Sequence, residues 1–181
     1  MLTEFLRDQA TAIAWLALMA GGWFGWSQED PPKRLSGWWG AGSVIGLLVS
    51  VAFGLLVWRN WSTPSALEGN YWVFGVIVLA EAVLIGGGCI VLARRGATRW
   101  YGWWIGLCVA LHFVPLAWLF ADPSYGILAL VQVIGLLAMR PALTRSTATT
   151  SRWACPWIAG TFLLFALVSA ALFVTRYGYP W

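Results

Sequence analysis

A chain of 181 residues with 60% hydrophobic and only 10% charged side chains has too little polar surface for a soluble globular domain, which is about a quarter charged. With a mean hydropathy of +0.74 it reads as a single integral membrane domain. The net charge of +4 gives no nucleic-acid signal here, because the basic residues sit between apolar runs, where they set orientation.

Taken in chain order, six apolar segments can be drawn: Gln9 to Trp26, Trp38 to Trp58, Tyr71 to Ala93, Trp100 to Ala121, Ser124 to Met139 and Trp153 to Thr175. Each is expected to be helical, because backbone amides in lipid must find their partners within the segment. The fold class is therefore all-α, a six-helix transmembrane bundle. The N-terminal run carries Glu4 and Asp8 against Arg7 and has no small-residue cleavage site, so it is expected to stay as the first membrane helix. The fifth segment is the shortest, following the fourth through only Asp122 and Pro123. The Pro31 and Pro32 pair and the connection from Thr144 to Ser151 read as short exposed loops.

Orientation follows from the cations. Lys33, Arg34, Arg94, Arg95, Arg99, Arg140, Arg145 and Arg152 lie in connections on one side, and Arg7, Arg59 and Arg176 on the other. The richer side belongs in the cytoplasm, which puts both termini outside. Most of the fifteen Trp fall near segment ends, as an interfacial aromatic belt requires, among them Trp38, Trp39, Trp58, Trp61, Trp72, Trp153, Trp157 and Trp181. Trp15 and Trp118 lie deeper and are left as candidate pocket walls. Small residues four apart, Ala10 and Ala14, Gly42 and Gly46, Gly102 and Gly106, would let helix backbones approach closely. Gly86, Gly87 and Gly88 suit either a hinge or tight packing. At an offset of 65 residues Gly21, Gly22, Arg34, Gly37, Trp38 and Trp39 align with Gly86, Gly87, Arg99, Gly102, Trp103 and Trp104, the pattern of a parallel duplication of helical hairpins.

The residues that could carry chemistry lie in the third and fourth segments. Glu81 is the only carboxylate inside an apolar run and His112 the only histidine. Glu81 lies 13 residues before Arg94 and His112 13 residues after Arg99, so antiparallel helices would hold both at one depth, about 20 Å from the basic loop. That is inside a hydrocarbon layer of about 30 Å. Ionisable groups at such depth are expensive and mark functional sites by default. A neutral acid bonded to a neutral imidazole and an ion pair are both open to them, and desolvation favours the first. Pro115 frees the carbonyl of Leu111 and would open space beside His112. Cys108 shares the His112 face, and Gln132 could join the polar set from a shallower position. Glu81 and His112 could equally do no more than lock two helices together.

One His and one Glu fall short of a zinc or iron site, and no phosphate loop, G-x-S-x-G, CxxC or HExxH motif is present, so no metal and no cofactor is expected. Cys89, Cys108 and Cys155 read as reduced structural thiols.

The stretch Leu111, His112, Phe113, Val114, Pro115, Leu116, Ala117 resembles a G-x-H-F-x-P-L-A pattern of small multi-span membrane proteins of Gram-positive bacteria, with Ala110 where that pattern has Gly. An earlier helix with a Glu in a context like Phe74 to Ala82 belongs to the same likeness. The resemblance implies the fold and a bacterial cytoplasmic membrane location, and no activity.

Three functions fit. In the first, Glu81 and His112, with Cys108, Gln132, Trp118 and Phe113, line a pocket that binds or transports a small molecule or protons. In the second, the chain is an intramembrane enzyme acting on a lipid or isoprenoid, with Glu81 and His112 catalytic, Glu81 as general acid and Trp118 and Phe113 shielding a developing cation. In the third it is a structural or accessory subunit. Membrane lipid and a small-molecule ligand are the expected partners.

Overall fold

The computed structural model describes residues 5–178. Six α-helices follow one another: α1 (Leu6–Trp26), α2 (Ser36–Arg59), α3 (Tyr71–Arg94), α4 (Tyr101–Leu119), α5 (Pro123–Arg145) and α6 (Ser151–Tyr177). Short 3-10 turns, Ser27–Glu29 and Thr98–Trp100, follow α1 and lead into α4. Among the described residues there is no strand. The chain is a multi-pass membrane protein, with five helices, α2 to α6, long and apolar enough to cross a bilayer. The remaining helix, α1, packs against α2 and α6. It buries Ala10, Ile13, Leu16, Ala17 and Ala20, together with the polar side chains of Asp8 and Gln9.

Each expected segment lies within or close to one helix, with a clear difference in α5. That helix continues six residues beyond Met139, through Arg140, Pro141 and Arg145. Its start is well defined: Pro123 occupies the first turn and the Asp122 side chain accepts a hydrogen bond from the Ser124 amide at 2.9 Å. The Thr144 to Ser151 connection is not an exposed loop throughout, since Thr150 and Ser151 are buried. Thr150 Oγ1 donates to the Arg99 carbonyl at 2.8 Å and accepts from the Trp103 amide at 3.0 Å, tying the start of α6 to the start of α4.

Across the bundle, α1 packs between α2 and α6, α4 packs against α5 and α6, and α3 packs along α4 at the edge. The small-residue pairs sit at these contacts. A Cβ at Gly46 would lie 2.6 Å from the Ala17 carbonyl, and one at Gly42 would overlap the Phe24 ring, so glycine lets α1 and α2 close together. Gly102 meets Ser151 and Gly106 meets Ile158, which does the same for α4 and α6. Ala10 joins Ile13, Phe53, Leu56 and Phe173 in a separate small core, with Ala14 packed against it. Trp15 and Trp118 are 56% and 78% exposed on the outer surface, so neither walls a pocket. Trp39, expected in the belt, is instead buried, as is Trp23 near the end of α1, whereas Trp38, Trp58, Trp61 and Trp72 stand outward as a belt requires. Trp181 lies outside the described residues.

Candidate functional site

The α3–α4 hairpin closes through a helix C-cap. Gly96 adopts φ +65°, its amide donates to the Ala93 carbonyl at 3.0 Å, and the Ala97 amide reaches back to the Leu92 carbonyl at 2.8 Å. That turn returns the chain antiparallel. No residue of α3 is buried, so its less exposed residues mark the face turned to α4: Phe74, Ile77, Glu81, Ile85, Gly88 and Leu92, with Val73 and Cys89 beside them. Their spacing of three and four is one side of a helix, and Glu81 lies in its middle.

Across that face stands His112. Its Nδ1 lies 3.3 Å from Glu81 Oε1, and the two side chains are 15% and 16% exposed, sheltered without being sealed. The same Nδ1 is 2.7 Å from the Val109 carbonyl oxygen. A carbonyl can only accept, so this geometry puts the proton on Nδ1, which donates to Val109 while Glu81 lies beside it. Glu81 thus faces a donor, and the arrangement differs from a neutral acid donating to that ring nitrogen. Among the described residues, Nε2 has no hydrogen-bond partner, which leaves it for a ligand or water.

Both residues line a cavity of about 400 Å³ between α3 and α4, within the range of small-molecule sites. Cys108, one turn from His112, contributes to the wall, as do Trp104, Leu107, Leu111, Pro115, Val76, Ile77, Ala80 and Leu84. Val76, Leu84 and Leu111 are half exposed or more, on the outer surface of the hairpin. The cleft therefore opens sideways, between two membrane helices, rather than into the bundle. Pro115 removes the helical donor for the Leu111 carbonyl at the same place.

Compared with protein-family models, curated proteins and solved structures, the chain matches none.

The structure separates the other expected site residues from this cleft. Phe113 follows His112 but turns into the core, stacked on Tyr125 at 6.0 Å and edge-on to Phe162 at 5.6 Å. Its ring still supports the imidazole, with centroids 4.3 Å apart. Trp118 points outward. Gln132 is fully buried between α5 and α6, where its Nε2 donates to Thr161 Oγ1 at 2.9 Å, and it is not part of the cleft wall. Among the described residues no three His, Cys, Asp or Glu side chains gather in one place.

Trp104 is one of several wall residues outside the candidate set, and the aromatic one among them. Its signal was the spacing of Trp104, Cys108 and His112, four residues apart, which is one face of α4. The indole rests on Gly88, where an added Cβ would be 2.1 Å from ring atoms. Gly86 and Gly87 have nothing within 4 Å of such a Cβ, so only the last glycine of the run serves the helix contact.

Proposed function

We propose that the chain is a six-span protein of the bacterial cytoplasmic membrane, with both termini outside, that binds a small amphipathic molecule at the Glu81–His112 cleft and carries it or a proton. The observation that carries this is the lateral cleft of about 400 Å³ in which an acid and an imidazole are the main polar groups on an otherwise apolar wall. Such a surface suits a ligand with an apolar body and one hydrogen-bonding or cationic head, arriving through the lipid. The crossing by α1 is supported by its packing along α2, from Phe24 against Gly42 at one end to Ala10 against Phe53 at the other. Orientation rests on the uneven distribution of cations. In the 65-residue alignment Leu16 and Leu47 stand where the second hairpin has Glu81 and His112, so the site would belong to one half of a duplicated pair.

Mass spectrometry of extracts from protein purified in mild detergent tests the proposal. A molecule that accompanies the wild type and is lost from Glu81→Gln and His112→Gln, with both variants still folded, supports it. Identical extracts from all three would remove the ligand.

The sideways opening also favours a second function, an intramembrane enzyme on a lipid or isoprenoid substrate, with Glu81 as the general acid and Trp104 as the aromatic wall. Turnover of a polyprenyl substrate by the wild type and not by Glu81→Gln would place it first. A Glu81→Gln/His112→Gln double variant that lost stability alone would reduce the pair to a helix lock.

A further inference from the structure

A second cavity, of about 470 Å³, lies apart from the Glu81–His112 cleft, at the ends of α2, α5 and α6 that carry most of the cations. Leu35, which precedes α2, and Trp39 of α2, Met139 and Leu143 of α5, and Trp153 and Trp157 of α6 line it, with α6 packed against both neighbours as its floor. The aromatic walls are fixed in place. Trp39 meets Trp153 edge-on at 6.3 Å, and the Trp157 indole donates to the Gln132 carbonyl at 3.3 Å. The groove is therefore preformed, and the half-exposed Trp153 marks its open side.

Cations adjoin its lining residues along the chain. Lys33 and Arg34 immediately precede Leu35, Arg140 follows Met139, and Arg145 lies two residues beyond Leu143; all four are exposed. Among the described residues none of them has an ion-pair partner. The nearby acids are engaged elsewhere: Asp30 pairs with Arg152 at 3.6 Å, and Glu29 accepts from Ser151 at 2.7 Å and from the Trp26 indole at 3.1 Å. An apolar slot among membrane helices, flanked in the chain by exposed cations without ion-pair partners, matches one kind of occupant, an acyl chain joined to an anionic head. A second copy docked on this groove about a two-fold axis would bring the same cations against one another and be repelled.

We propose that this groove seats one acyl chain of an anionic phospholipid, whose phosphate is held by Lys33, Arg34, Arg140 and Arg145. The proposal is independent of what the Glu81–His112 cleft binds.

The test titrates purified protein with phosphatidylglycerol or with phosphatidylcholine of the same chains and counts bound lipid by native mass spectrometry. The wild type is expected to prefer phosphatidylglycerol, and K33Q/R34Q to weaken that binding by roughly tenfold or more. R94Q/R95Q, which removes the same charge from the end of α3, is expected to leave it unchanged. Ala142→Trp, which fills the groove from an exposed position with every cation retained, is expected to abolish it. Equal binding of the two lipids, equal losses in the two charge variants, or full binding by Ala142→Trp would each overturn the proposal. So would a change of oligomeric state in Ala142→Trp with lipid binding intact, which would assign the groove to a second copy.

Discussion

Gly88 of α3 lies so close to the indole of Trp104 on α4 that a methyl group there would overlap the ring. The contact sits two turns from Glu81 on the same face and forms part of the wall that shelters it. Since no residue of α3 is buried, this approach is a principal constraint on the helix. Gly88→Ala is expected to push the helices apart at a cost of about 1–3 kcal/mol. Gly87→Ala, in open space, is expected to be neutral or to stabilise by up to about 1 kcal/mol. Thermal unfolding in detergent compares the two, and equal effects would remove the close contact.

Ala121 closes α4 at φ +48°, in the left-handed region that disfavours a Cβ. The geometry is that of a glycine cap: the Asp122 amide bonds the Ala117 carbonyl at 3.0 Å and the Ala121 amide bonds Trp118 at 3.1 Å. Ala121→Gly is expected to raise stability by about 0.5–1 kcal/mol, the relief of strain exceeding the extra freedom of the unfolded chain. A lower melting temperature would contradict this.

Gln132 and Thr161 join α5 to α6 in a site closed to solvent and lipid. Thr161→Val removes the acceptor for the buried amide and is expected to cost about 1–2 kcal/mol. Adding Gln132→Leu should recover most of that loss, because both partners then become apolar. A double-mutant cycle with no coupling would show that the bond contributes nothing.

At the other end of α1, the Asp8 carboxylate accepts from the Ala66 amide at 2.7 Å, while Arg7 donates to the Trp61 carbonyl and pairs with Glu68 at 3.5 Å. These bonds dock the connection between α2 and α3. Asp8→Ala is expected to accelerate amide hydrogen exchange in residues 61–68 while exchange in the core of α6 stays unchanged. Faster exchange throughout would mean that Asp8 supports the whole bundle.

Each of the six apolar segments is a helix, five of them long and apolar enough to cross a bilayer, because a lipid-exposed backbone has no alternative to internal hydrogen bonding. Hydropathy ended α5 too early, since Arg140 and Pro141 resemble a stop where the helix continues beyond the apolar run. The Glu81–His112 contact was legible because depth is set by residue count along a helix. Rotation was not legible, because helices apolar on every side carry no signal for which face turns inward. Phe113 is only about 100° round the helix from His112, yet that carries it into the core; Trp118, about 120° away, faces outward. Cys108, about 40° from His112, and Trp104, about 80°, lie on the other side of it from Phe113, and that is the side turned to the cleft. Gln132 was misleading for the same reason, its depth being visible and its partner on α6 not.

The central claim is that the one imidazole of this chain carries its proton on Nδ1, held by Val109 beside Glu81, with Nε2 left for a ligand. Nitrogen NMR of protein labelled at histidine tests it directly, because His112 alone gives the signal. The account predicts a protonated Nδ1 whose resonance moves on Glu81→Gln. A ring protonated only at Nε2, with a signal indifferent to that substitution, would contradict it.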